Sequence, residues 1–140
     1  MNVIIATTEK ERQDAFFVRK IVFAEEQHVP LELEIDEYDE KATHFVLYEG
    51  DEPIGAARLR PYDDAGKIER VCILKSYRNR GLGKYLMEEI IACAKEKGFP
   101  KVVLHAQTQA IPFYEKLGFT VTSEEFMDAG IPHRAMEKPL

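Results

Sequence analysis

The sequence predicts a mixed α/β sheet with helices on both faces, on three observations. Short β-branched runs alternate along the chain with segments whose apolar residues recur every three or four positions. Residues 66–106 read strand, helix, strand, which calls for a parallel, right-handed crossover. The three runs that lead into it, joined by short turns, read as an antiparallel meander. The chain has 140 residues, which suits one domain, 1–140. A chain this long buries roughly two-thirds of its unfolded surface, so a core needs no disulfide or metal.

Each element follows from its own pattern. "NVIIAT" (2–7) is short and β-branched, a strand. Residues 8–27 switch to helical spacing through Ala15, Val18 and Val22, and Thr8 with Glu11 forms a capping box. Pro30 marks the loop that follows. Residues 31–42 are strongly acidic and show no clear period. Strands follow at 43–50, 52–62 and 66–74, separated by turns at Gly50, Asp51 and Pro53 and at "DDAG". In the helix over 81–97, Leu82, Leu86, Ile90 and Ala94 lie four apart; Gly98 and Pro100 end it. A strand at 101–106, a short helix at 109–117 and strands at 119–126 and 133–138 complete the chain.

Composition excludes several functions. Asp and Glu number 25 against 19 Lys and Arg, a net charge of −6. That speaks against nucleic acid or an anionic membrane as partner. Cys72 and Cys93 sit in apolar segments with no paired framework, which suits a reducing compartment. No basic leader with a long apolar run opens the chain, and no segment approaches the roughly 20 apolar residues that span a bilayer. The expected location is cytoplasmic. His28, His44, His105 and His133 have no metal-ligand spacing and read as structural or surface residues.

One segment carries chemistry. "RNRGLGKYL" (78–86) sets Arg78, Arg80 and Lys84 around Gly81 and Gly83 where a strand gives way to a helix. A helix start leaves backbone N–H groups unpaired and carries about half a positive charge. Glycines remove the side chains that would keep an anion away. The segment therefore reads as a phosphate seat. It contains neither the "GxxxxGK[ST]" of nucleotide-triphosphate loops nor the third glycine of the dinucleotide fingerprint.

"RNRGLG" resembles the acyl-CoA-binding motif R/Q-x-x-G-x-G/A of the GNAT acetyltransferase superfamily, and "AIPFYEKLGF" (110–119) resembles its second motif. The resemblance covers nearly the whole chain, which is similar to small bacterial GNAT proteins of the YjcF or ElaA type. It implies the GNAT fold: a mostly antiparallel central sheet in which the parallel strands 66–74 and 101–106 splay apart. It implies acetyl-CoA as co-substrate and no metal. The backbone of Val71, Cys72 and Ile73 would pair with the pantetheine arm. The amides of Arg78, Asn79, Arg80, Gly81, Leu82, Gly83 and Lys84 would hold the pyrophosphate. An N–H near Cys72 or Ile73 would face the thioester oxygen. Gln107 stands where many members have a cofactor-binding Asn. Tyr114 is the expected donor to the leaving sulfur.

For the general base, Glu69 is the first choice, since it lies on the strand with the oxyanion donors. Alternation sets it on one face with Val71, and Arg70 with Cys72 on the other. An ion pair with Arg58 or Arg60 is the competing reading of the same residue. Glu26 is the second choice, because the first helix walls the acceptor site in such proteins. Cys72 as a covalent carrier is disfavoured, with no activating base beside it. The acidic run 32–40 reads as a solvated loop or as a surface for a cationic acceptor. Arg19, Phe23, Glu34, Asp36, Asp39 and Arg58 also stand in an order that resembles acyl-homoserine-lactone synthases, which share the fold. The chain is short for them and lacks Trp. The shared block reads as architecture in which Arg19 and Arg58 tie the acidic loop to the sheet and keep a substrate cleft open. The expectation is an N-acetyltransferase that works by direct attack in a ternary complex on a small-molecule or protein amine, as a monomer or homodimer. A non-catalytic acyl-CoA sensor and a lactone-synthase-like acyltransferase stand as its rivals.

Overall fold

The computed structural model describes residues 1–140. Its strands are β1 (Asn2–Ile5), β2 (Thr43–Glu49), β3 (Glu52–Tyr62), β4 (Ala65–Ile73), β5 (Lys101–Gln107), β6 (Thr120–Val121), β7 (Phe126–Asp128) and β8 (Ile131–Pro139). They form one sheet in the order β1-β2-β3-β4-β5-β8-β6, with β7 paired to β8. Every pairing is antiparallel except β4 with β5. The helices are α1 (Glu9–Arg19), α2 (Leu31–Glu34), α3 (Leu82–Glu96) and α4 (Ile111–Glu115). This is the mixed sheet with one parallel crossover that the sequence predicts.

Two apolar clusters lie on opposite sides of the sheet. Phe45, Leu47 and Leu59 face α3, whose Leu86, Met87, Ile90 and Ala94 are buried against them. Val46 and Ala56 point the other way and meet Ala15 and Val18 of α1 and Val22 just beyond it. The period-two alternation of β2 thus supplies both faces.

Four local features depart from the sequence pattern, the first being the strand expected over 119–126, which is split into β6 and β7 with no strand between them. The helix over 8–27 begins at the predicted cap, with the Thr8 hydroxyl accepting from Glu11 N–H. From Lys20 to Glu26 it widens to a π-helix, and Gln27 N–H bonds the Val22 carbonyl at 3.1 Å. Such widenings concentrate at functional sites. The acidic run is ordered: it forms α2 and a 3-10 turn over Glu37–Glu40, capped by the Asp36 carboxylate. The final strand is longer than expected because Ile131 and Pro132 also pair with β7.

Candidate active site

The parallel strands separate. Their pairing runs only over Gly66, Lys67 and Ile68 opposite Val102, Val103 and Leu104, although both strands continue. A bulge drives the divergence. Ala56 faces Cys72 and Arg58 faces Glu69, so Arg70 and Val71 together stand opposite Ala57. Arg70 takes φ 58, an unusual conformation for a side chain of its size. The bulge also breaks the expected alternation. Glu69 joins Arg58 on the α1 side, whereas Val71 packs on the cluster that faces α3. Glu69 and Val71 therefore do not share a face. Leu74 N–H bonds Ile54 of β3, so antiparallel alternation directs Leu74 and Cys72 toward β3 and turns the polar groups of Val71 and Ile73 into the gap. The Ile73 carbonyl accepts from the Arg78 guanidinium at 2.9 Å.

A cleft of about 330 Å³ occupies the gap, lined in part by Val71, Ile73, Leu104 and Tyr114. One end meets the start of α3. Gly81 is the N-cap at φ 75 and Asn79 sits at φ 65. No intramolecular hydrogen bond uses the amides of Asn79, Arg80, Gly81, Leu82, Gly83 or Lys84; the first engaged amide is Tyr85, which bonds Gly81 at 3.2 Å. A row of free N–H groups at a positive helix end is an anion seat. Nothing lies within 4 Å of a side chain added at Gly81, while one at Gly83 would meet Phe113 at 3.3 Å. The charged side chains are placed differently from expectation. Arg80 stacks on Tyr77 at 5.4 Å. Arg78 reaches back to Glu26 at 2.7 Å.

That pair relocates Glu26. It lines neither cleft, and the hydrogen bonds from Arg78 hold its carboxyl below the usual range. Gln107 lines the cleft and donates to Gln27 at 2.9 Å, tying the end of β5 to the π-helical turn. The Tyr114 ring rests edge-on against Phe113 and Phe119, and its hydroxyl makes no hydrogen bond within the protein. Burial pushes its pKa up to about 12, so the phenol keeps its proton. The Cys72 thiol, also pushed up to about 12 by burial, contacts the Ala56 carbonyl and is a poor nucleophile.

A second cleft of about 410 Å³ adjoins the first and shares Phe23, Glu69, Gln107 and His133 with it. Its wall is an ionic network. Arg19 pairs with Glu34 at 2.8 Å and Asp39 at 2.7 Å; Arg58 pairs with Asp36 at 2.7 Å, Asp39 at 2.8 Å and Glu69 at 3.0 Å. Arg60 and Lys67 also reach Glu69, and Arg70 reaches Glu34 and Asp36. Arg19 and Arg58 thus tie the acidic loop to the sheet, as the sequence suggests. The network holds one more cation than carboxylates, so Glu34, Asp36, Asp39 and Glu69 are already neutralised by the protein's own cations. Glu69 keeps a place at both clefts. Burial raises its pKa, but the Arg60 hydrogen bond and the charges of Arg58 and Lys67 outweigh that and bring it down to about 2.

These groups set a pH dependence. Burial lowers the His44 pKa from its ordinary 6.5, so the unfolded chain takes up that proton first and stability falls as pH drops below about 6.5. Glu69 adds stability that is complete above about 4.5 and is lost as pH falls toward about 2. The thermal midpoint is expected to decline from pH 7 to pH 4 and more steeply below. A midpoint that stays level over that range would contradict the burial argued for both groups.

His133 and His105 also line the first cleft. From local pattern alone they read as structural or surface residues, because nothing local reveals that β8 lies beside β5.

The comparisons with known proteins agree with this geometry. The acetyltransferase (GNAT) domain family matches residues 6–140. The uncharacterized N-acetyltransferase YjcF of Bacillus subtilis is 49% identical over 139 residues, 99% of each chain. A crystal structure from Lactobacillus plantarum, of a protein assigned to the N-acetyltransferases, superposes with a TM-score of 0.93 at 32% identity, covering 99% of this chain and 97% of that one. A GNAT family acetyltransferase from Elizabethkingia anophelis with acetyl-CoA bound shares the fold, with a TM-score of 0.71 at 19% identity over 99% and 97% of the two chains.

Proposed function

Because the chain belongs to the GNAT acetyltransferase family, we propose that it transfers the acetyl group of acetyl-CoA directly to an amine bound in the second cleft. The observation that carries this is the row of free amides from Asn79 to Lys84, set at the mouth of a gap between diverging strands. The diphosphate of the coenzyme binds those amides. Its pantetheine arm pairs with the backbone of β4 that faces the gap at Val71 and Ile73, beside the Ile73 carbonyl that Arg78 already holds, and delivers the thioester to the inner end of the gap, where an N–H of β4 stabilises the oxyanion. Tyr114, still protonated, donates to the departing sulfur. Both substrates are present at once, and the buried Cys72 takes no part as a carrier. The bridge between Gln107 and Gln27 positions the wall between the clefts.

The test is thiol release from acetyl-CoA across a panel of small and peptide amines. Acceptor-dependent release is expected. Tight binding of acetyl-CoA with no release for any amine would favour a sensor. Tyr114→Phe removes only a hydroxyl that holds nothing in the fold. It is expected to lower kcat about 10²-fold while the Kd for acetyl-CoA stays as it was. Unchanged turnover would take Tyr114 out of the mechanism.

A further inference from the structure

The amine must lose a proton before it attacks, and the favoured carboxylate is poorly suited to take it. Glu69 is shared by Arg58, Arg60 and Lys67 at 3.0, 2.7 and 3.2 Å. A carboxylate so engaged offers no free lone pair of useful basicity.

Among the titratable side chains that line both clefts, Lys67, Glu69 and Arg70 are all ion-paired, which leaves His133 and Asp128. Asp128 is exposed at the end of β7. His133 is 8% exposed and held from three sides. It pairs with Gln107 of β5 and with Phe126 of β7, so its side chain shares a sheet face with the glutamine that reaches Gln27. Its ring stacks on Phe126 at 6.1 Å and 22°. Its Nδ1 lies 2.6 Å from the Ile131 carbonyl. A carbonyl can only accept, so Nδ1 carries the proton and the neutral ring keeps its lone pair on Nε2. Nε2 has no partner in the protein.

We propose that His133 is the general base, its Nε2 accepting a proton from the acceptor amine where the two clefts meet. This rests on the N-acetyltransfer reading above. The amine arrives as an ammonium ion. One proton passes to Nε2 and from there to water. The freed lone pair forms the C–N bond, and the C–S bond breaks. The second nitrogen proton ends on the coenzyme sulfur by way of the Tyr114 hydroxyl. The titratable and charged groups that line the clefts with His133 include His105 on β5, whose pKa burial lowers, Asp128 on β7, and Lys67, Glu69 and Arg70 on β4.

The test compares wild type, His133→Asn, His133→Gln and Asp128→Asn, each full length, with an amine that the wild type acetylates. The Asn amide nitrogen stands where Nδ1 stood and keeps the bond to Ile131, so the fold is expected to survive; the Gln variant serves if it does not. At neutral pH kcat/KM for the amine is expected to fall about 10²-fold in both His133 variants, with the Kd for acetyl-CoA unchanged. The acidic limb of the pH profile should vanish. The deficit should narrow as pH rises and the amine sheds its proton to water, and added imidazole should restore part of the rate. Asp128→Asn should keep the limb. Retention of rate and limb in the His133 variants, or loss of the limb in Asp128→Asn alone, overturns the assignment. A wild type that binds acetyl-CoA and acetylates no amine overturns the transfer reading, and this one with it, before any variant is compared.

Discussion

Gly83→Asp is expected to lower the affinity for acetyl-CoA about 10³-fold while the protein stays folded. Gly83 is the second residue of α3, in the row of unengaged amides. A carboxylate there stands where the diphosphate is proposed to bind. Two like charges about 4 Å apart repel by about 4 kcal/mol in the screened environment of a protein surface, which is about 10³ in Kd. The same carboxylate suits the empty helix start, whose dipole favours a negative charge. The new Cβ needs only a few tenths of an ångström from Phe113, a partly exposed ring. Stability and affinity should therefore separate, with a thermal midpoint held or slightly raised and a calorimetric signal for acetyl-CoA lost. An undiminished signal would mean that the coenzyme phosphates bind elsewhere.

Arg19→Met should destabilise the protein by about 3 kcal/mol, read as a lower urea midpoint at unchanged slope. Arg19 is fully buried beneath Glu34 and Asp39 and stacks on Phe16 at 4.9 Å. Methionine fills much of the volume but leaves two buried carboxylates short of a partner. Removing one member of a buried ion pair costs about 3–5 kcal/mol. The lower end applies because Arg70 still reaches Glu34 and Arg58 still reaches Asp39. The acidic loop walls the second cleft, so the variant should also weaken the amine more than acetyl-CoA. A midpoint equal to wild type would show that the network contributes nothing net to folding.

Some of this site was legible in the sequence and some was not. The seat at the start of α3 is built from neighbours in the chain: Gly81, Gly83 and the helical apolar spacing behind them declare both the turn and the free amides. The Thr8 cap was equally plain, because a capping box is four residues long. The period of two misled at β4, where the bulge at Arg70 inserts one residue and turns Glu69 away from Val71. The acidic run showed no period because its order comes from Arg19, Arg58 and Arg70, each far away in the chain.

The sequence by itself determined the crossover, the strand order through the meander and the row of free amides at the start of α3. Each is a property of consecutive residues and their backbone preferences. Only the tertiary structure decided which carboxylates are already paired and which imidazole stands at the junction of the clefts. Those outcomes depend on which distant groups come within about 3 Å of one another, and a one-dimensional pattern does not carry that distance.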